Sequence, residues 1–120
     1  MKYIETDFIH ISILDDRTVL VEAIEGVEIN HEKSRQANEL IESNMPGDYG
    51  MIIDRKSDYS IVPHDVYNIL NSLAKLKAIA IVVHKKNFLP ISTEKKLFRG
   101  KLEAFSSIQQ AHEWIASIVE

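Results

Sequence analysis

One stretch restricts the fold more than any other. Ala78-Ile79-Ala80-Ile81-Val82-Val83 is six apolar residues without a polar break, bounded by Lys77 and His84. A strand with one wet face alternates apolar and polar side chains. This run does not alternate, so both of its faces must be covered. That is the habit of an inner strand in a parallel or mixed sheet with helices packed against it. The run is also far short of the roughly 18 apolar residues that cross a bilayer. At 120 residues the chain has the length of one domain, about 100–150 residues. No linker or internal repeat divides it, so a single domain over residues 1–120 is expected.

The rest of the pattern fits a sheet of that kind. Ile9, Ile11 and Ile13 alternate with His10 and Ser12, which predicts a strand over Phe8–Leu14. Asp15-Asp16 makes a turn, and the β-branched run Thr18 to Glu25 returns as a hairpin ended by Gly26. Asn30 is placed to cap a helix reaching about Asn44, with Ala37, Leu40 and Ile41 inward. Met45-Pro46-Gly47-Asp48 stops it, and Tyr49–Asp54 is the third strand. Pro63 suits a first helical turn, followed by Val66, Ile69, Leu70, Leu73 and Leu76 at helical spacing. Beyond the fourth strand, Ser92 or Thr93 caps a short helix through Arg99, with Gly100 to end it. Lys101–Phe105 is the last strand. Ser106 and Gln109 form a capping box for a closing helix striped by Ile108, Ala111, Ile115 and Ile118, with Trp114 at its edge. The order ββαβαβαβα predicts an α/β fold: a mixed, mostly parallel five-stranded sheet with an N-terminal β-hairpin and four helices.

That order, at this length, resembles the STAS-type fold of bacterial anti-anti-sigma factors. It is more closely similar to the SpoIIAA-like, or STAS/SEC14-like, single-domain bacterial proteins. The resemblance is carried by Val27-Glu28-Ile29-Asn30, Met51-Ile52-Ile53-Asp54, Lys77 through Val83, and Glu103-Ala104-Phe105 followed by Ala111-His112-Glu113-Trp114-Ile115. It spans nearly the whole chain, but its motifs are mostly apolar fold-making patterns. Phosphorylated anti-anti-sigma factors carry Asp-Ser-Ser-Gly at the start of the second helix. Here that stretch is Ile61-Val62-Pro63-His64-Asp65, so the kinase-controlled switch is not expected.

Without cysteine there is no disulfide, thiol nucleophile or cysteine metal site. The five histidines share no i, i+4 or H-x-H spacing, so no metal site is expected. Phosphate-cradling glycine motifs are absent, and no cofactor is expected. Ser57, His84 and Asp54 make a hydrolytic triad only on paper, because no G-x-S-x-G elbow accompanies them. No catalytic residue is assigned. If the third and fourth strands are parallel, Asp54, Arg55, Lys56 and His84 gather at their carboxyl ends, where open α/β sheets bind ligands. The alternative for Asp54 is a loop cap on backbone amides.

Charge is uneven. The chain carries a net −4, yet between Lys75 and Lys101 eight basic residues are opposed by Glu94 alone. Lys85, Lys86, Lys95, Lys96 and Arg99 form the candidate basic surface. Glu22, Glu25, Glu28, Glu32, Glu39 and Glu42 lie elsewhere, so a homodimer through complementary faces is one expectation. Overall acidity argues against nucleic acid. The leading expectation is a non-enzymatic cytoplasmic module of STAS-like fold, binding a protein partner or a small apolar or anionic ligand. One alternative is an anionic membrane surface met by the 75–101 segment. The other is a small hydrolase or isomerase using Asp54 and His84 with Arg55.

Overall fold

The computed structural model of the protein describes residues 2–84 and 90–119. In chain order its elements are β1 (Lys2–Glu5), β2 (Ile9–Asp15), β3 (Thr18–Ala23), β4 (Glu28–Ile29), α1 (His31–Asn44), β5 (Tyr49–Asp54), β6 (Ser60–Ile61), α2 (Pro63–Ser72), β7 (Leu76–Val82), α3 (Ile91–Leu97), β8 (Lys101–Phe105) and α4 (Ile108–Ile118). The main sheet runs β1-β2-β3-β5-β7-β8, and β4 pairs with β6 in a small parallel ladder of its own. β1, β2 and β3 are antiparallel, while β5, β7 and β8 continue in parallel from β3. The unbroken apolar run therefore becomes β7, hydrogen-bonded on both sides and buried from Ala78 to Val82.

Among the described residues, the mostly parallel α/β architecture with an opening hairpin and four helices is as expected, but the main sheet holds six strands rather than five. The additional strand is β1, in register from Lys2 opposite Ile13 to Glu5 opposite His10. Four residues, two of them charged, give too little periodicity to read, and backbone pairing with β2 makes the strand. Its charged ends suit an edge that must not recruit another chain. Two caps also shift. Pro90, not Ser92 or Thr93, precedes α3. Ser107 caps α4 by accepting from the Gln110 amide at 3.2 Å, and Gln110 Oε1 accepts from the Ser106 amide in return. The serine cap stands one residue later than the spacing suggested, and the glutamine's return bond goes to the residue before the cap rather than to the cap's own amide.

The two faces of the sheet differ. α1, α2 and α3 cover one, where Ile11, Val21, Met51, Ile79 and Ile81 meet Ala37, Ile41, Tyr67 and Leu70. α4 covers the other, where Ile52, Ala80 and Val82 meet Ala111, Ile115 and Val119. Small residues let α4 lie close. A Cβ on Gly50 would fall 2.5 Å from Ile115 Cγ2, so only glycine fits there.

Candidate functional site

β5 ends in Asp54, and Arg55 follows. Side-chain alternation sends this neighbouring pair to opposite faces of the sheet. On the α4 side, Asp54 Oδ1 lies 2.7 Å from His84 Nε2, which joins the carboxyl ends of β5 and β7. The carboxylate is buried, while His84 is 41% exposed at its side chain. Lys56 turns aside to Glu22, 3.1 Å away, and that carboxylate raises the lysine's pKa. Ser57 makes no hydrogen bond to the Asp54–His84 pair.

Arg55 enters the opposite face and is 3% exposed. Its guanidinium forks onto both oxygens of Glu94, which α3 delivers at 0% exposure; Nη1 donates to Oε2 over 2.5 Å. Tyr67 from α2 donates to Glu94 Oε1 over 2.6 Å, and Arg55 Nε donates to the Tyr59 hydroxyl over 3.3 Å. Burial opposes the Arg55 charge, but the Glu94 carboxylate outweighs it and holds the guanidinium above its ordinary pKa. Burial, reinforced by Glu94, pushes the Tyr67 hydroxyl up, and burial raises Tyr59 as well. The groups are thus fixed: an ion pair with two neutral hydroxyls against it.

This network lines part of a cavity of about 70 Å³ between the sheet, α1 and α2. Its walls are largely apolar, with Phe8, Val21, Met51 and Ile53 from the sheet side and Val66 and Leu70 from α2. α1 contributes Ser34 and Asn38. Asn38 is 6% exposed, and its Nδ2 donates to the Ser34 carbonyl at 2.8 Å and lies 3.3 Å from Ser34 Oγ. Its Oδ1 is buried and, among the described residues, accepts from no donor.

Of the residues picked out by sequence, Asp54 and His84 come together. Arg55 goes to the cavity, and Lys56 pairs at the surface. Much of the basic segment is engaged within the molecule. Lys75 donates to the Glu42 and Met45 carbonyls, and Lys95 lies 3.1 Å from Glu103. Arg99 clasps the end of α2 through the Asn71 and Leu73 carbonyls. Lys96 is exposed, while Lys85 and Lys86 lie outside the described residues. On the acidic side, Glu32 and Glu39 both accept from Arg35. Sequence reading did not find Glu94, Tyr67, Tyr59 or Asn38. A signal existed for Glu94: it is the lone acid in the basic stretch.

No family model matches the sequence, and no curated protein does. Among solved structures, the chain is similar to an uncharacterized protein from the DUF3478 family with a SpoIIAA-like fold, from Shewanella loihica PV-4. The two are 20% identical with a TM-score of 0.62, over 93% of this chain and 98% of that one. The chain has a SpoIIAA-like fold. In this SpoIIAA-like fold α2 opens on Val62 and Pro63, with no side-chain cap. Among the described residues no helix is long and apolar enough to cross a membrane, and no three His, Asp or Glu side chains gather as metal ligands.

Proposed function

We propose that the protein is a non-enzymatic STAS-like binding module whose ligand is a small, mostly apolar molecule held between the sheet, α1 and α2. The supporting observation is the cavity itself, apolar on its walls with a few placed polar groups, which is the usual make-up of a ligand site. At about 70 Å³ it is roughly half the size of the ~150 Å³ apolar cavity known to take up benzene. A ligand of one ring therefore requires a wall to give. α1 is the wall suited to this, because its buried side consists only of Ser34, Ala37, Asn38 and Ile41. Catalysis has little support at this site. Arg55 and Glu94 are committed to each other, and the tyrosine hydroxyls are pushed away from the range in which general acids and bases work.

The test is an NMR titration with xenon and with toluene, following the methyl groups of Ile53, Val66 and Leu70. Saturable shifts of these and other cavity-lining methyls, lost when Ala23→Leu fills the cavity from its wall, are expected. Shifts scattered over the surface, or none, would discard the cavity as a ligand site. Mutation-sensitive turnover in a substrate panel would discard the non-enzymatic reading.

A further inference from the structure

Taking the cavity as the ligand site, we infer that it selects neutral molecules bearing a hydroxyl-type hydrogen-bond donor, and that Asn38 on α1 makes that selection. The first support is charge. Among the described residues the lining contains one cation, Arg55, and one anion, Glu94, bound to each other through both carboxylate oxygens. An anionic ligand would have to displace Glu94 from Arg55, which leaves a buried carboxylate uncompensated, a strongly unfavourable outcome. A cationic ligand would have to strip Arg55 in the same way. Neutral ligands meet no such obstacle.

The second support is the unused acceptor. Asn38 is buried, and its nitrogen side is anchored to Ser34 one turn earlier. That back-bond fixes the amide and leaves Oδ1 with no donor among the described residues. Ser34 Oγ lies on the nitrogen side, and the Tyr67 hydroxyl is given to Glu94. A buried acceptor without a donor is costly. Asparagine is also a poor residue for a helix interior, since its side chain competes with the backbone. Leucine at this position, between Ala37 and Ile41, would avoid both penalties. A ligand that brings a donor to Oδ1 removes the first of them, so binding energy and specificity come from the same atom.

Three probes of similar shape separate the outcomes: phenol, toluene and benzoate, titrated against the protein at neutral pH by NMR. Phenol should bind about three- to tenfold more tightly than toluene, the worth of one net hydrogen bond, and should move the Asn38 side-chain amide signals. Benzoate should leave the cavity methyls unmoved. In Asn38→Leu the order should reverse, with toluene ahead of phenol. Should Asn38→Leu fail to fold, the wild-type ranking decides alone. Toluene binding more tightly than phenol in the wild type would overturn the donor selection while leaving the cavity as a site. Benzoate binding more tightly than phenol would overturn the neutrality requirement. Silence from all three probes would sink the ligand site itself, and this inference with it.

Discussion

The two faces of the sheet use their side chains in opposite ways. Under α4 the contact is close: Gly50, Ala80 and Ala111 let Ile115 settle directly on β5. Under α1 and α2 the residues are larger and more apolar in number, yet they leave a cavity and admit Arg55, Glu94 and Asn38. Nothing in the backbone of the shared strands forces this difference, since alternate residues of the same β5 and β7 supply both faces. The lesson is that the amount of apolar surface does not measure how tightly a layer closes. The α4 face brings helix and sheet into close contact, and the other face keeps room beside the sheet.

The largest effect that tests this contrast lies on the cavity face. Glu94→Ala should destabilise the fold by about 3–5 kcal/mol, because it leaves the Arg55 charge buried and alone. The double change Arg55→Met/Glu94→Met should recover most of that loss in urea unfolding. A Glu94→Ala protein within about 1 kcal/mol of wild type would mean that the pair holds little.

On the tight face, Ile115→Ala should cost about 2–5 kcal/mol, through lost burial and a void that cannot collapse. Adding atoms should divide the faces more clearly than removing them. Gly50→Ala drives a Cβ into Ile115 and should cost about 1–3 kcal/mol. Ala23→Val adds volume at the cavity wall and should be neutral or stabilise by about 0.5–1 kcal/mol. If Gly50→Ala and Ala23→Val shift the melting midpoint equally in paired thermal melts, the faces are packed alike and the contrast is wrong.

The smallest effect compares two arginines. Arg55 is buried, whereas Arg35 pairs with Glu32 and Glu39 on the outside of α1. The Arg35 hydrogen bonds hold the Glu32 carboxyl down to about 2. A depressed carboxyl favours the folded state above its unfolded pKa, and the contribution is lost as pH falls toward about 2. Arg35→Gln should return Glu32 to the ordinary carboxylate range in an NMR titration, with little change in the unfolding midpoint. A large drop in that midpoint would place structural weight on an exposed pair.

How much of this could be read beforehand depended on how local each cause is. The span Tyr49–Asp54 and the Asn30 cap, whose Oδ1 accepts from the Lys33 amide at 3.0 Å, were legible because periodicity and capping act within a turn. The meeting of Asp54 and His84 followed from parallel strands, once two strand ends were known. β1 was not legible, because its partner and not its composition makes it a strand. Arg55 was visible as a candidate but its environment was not. Glu94 is 39 residues away in sequence, and no spacing rule links them. Asn38 looked like any polar residue on a helix until its neighbours were known.

The order of the sheet bears on how the chain comes off the ribosome. Each new strand of the main sheet, β1, β2, β3, β5, β7 and β8 in turn, is laid beside the main-sheet strand made before it, and the three crossover helices close one side as synthesis proceeds. The other side must wait. Ile52, Ala80 and Val82 stay bare until α4, which follows every strand, has emerged. Nascent chains arrested before residue 108 should therefore expose a sticky sheet face and attract holdase chaperones. Chains that extend past Ile115 far enough to clear the exit tunnel should escape them.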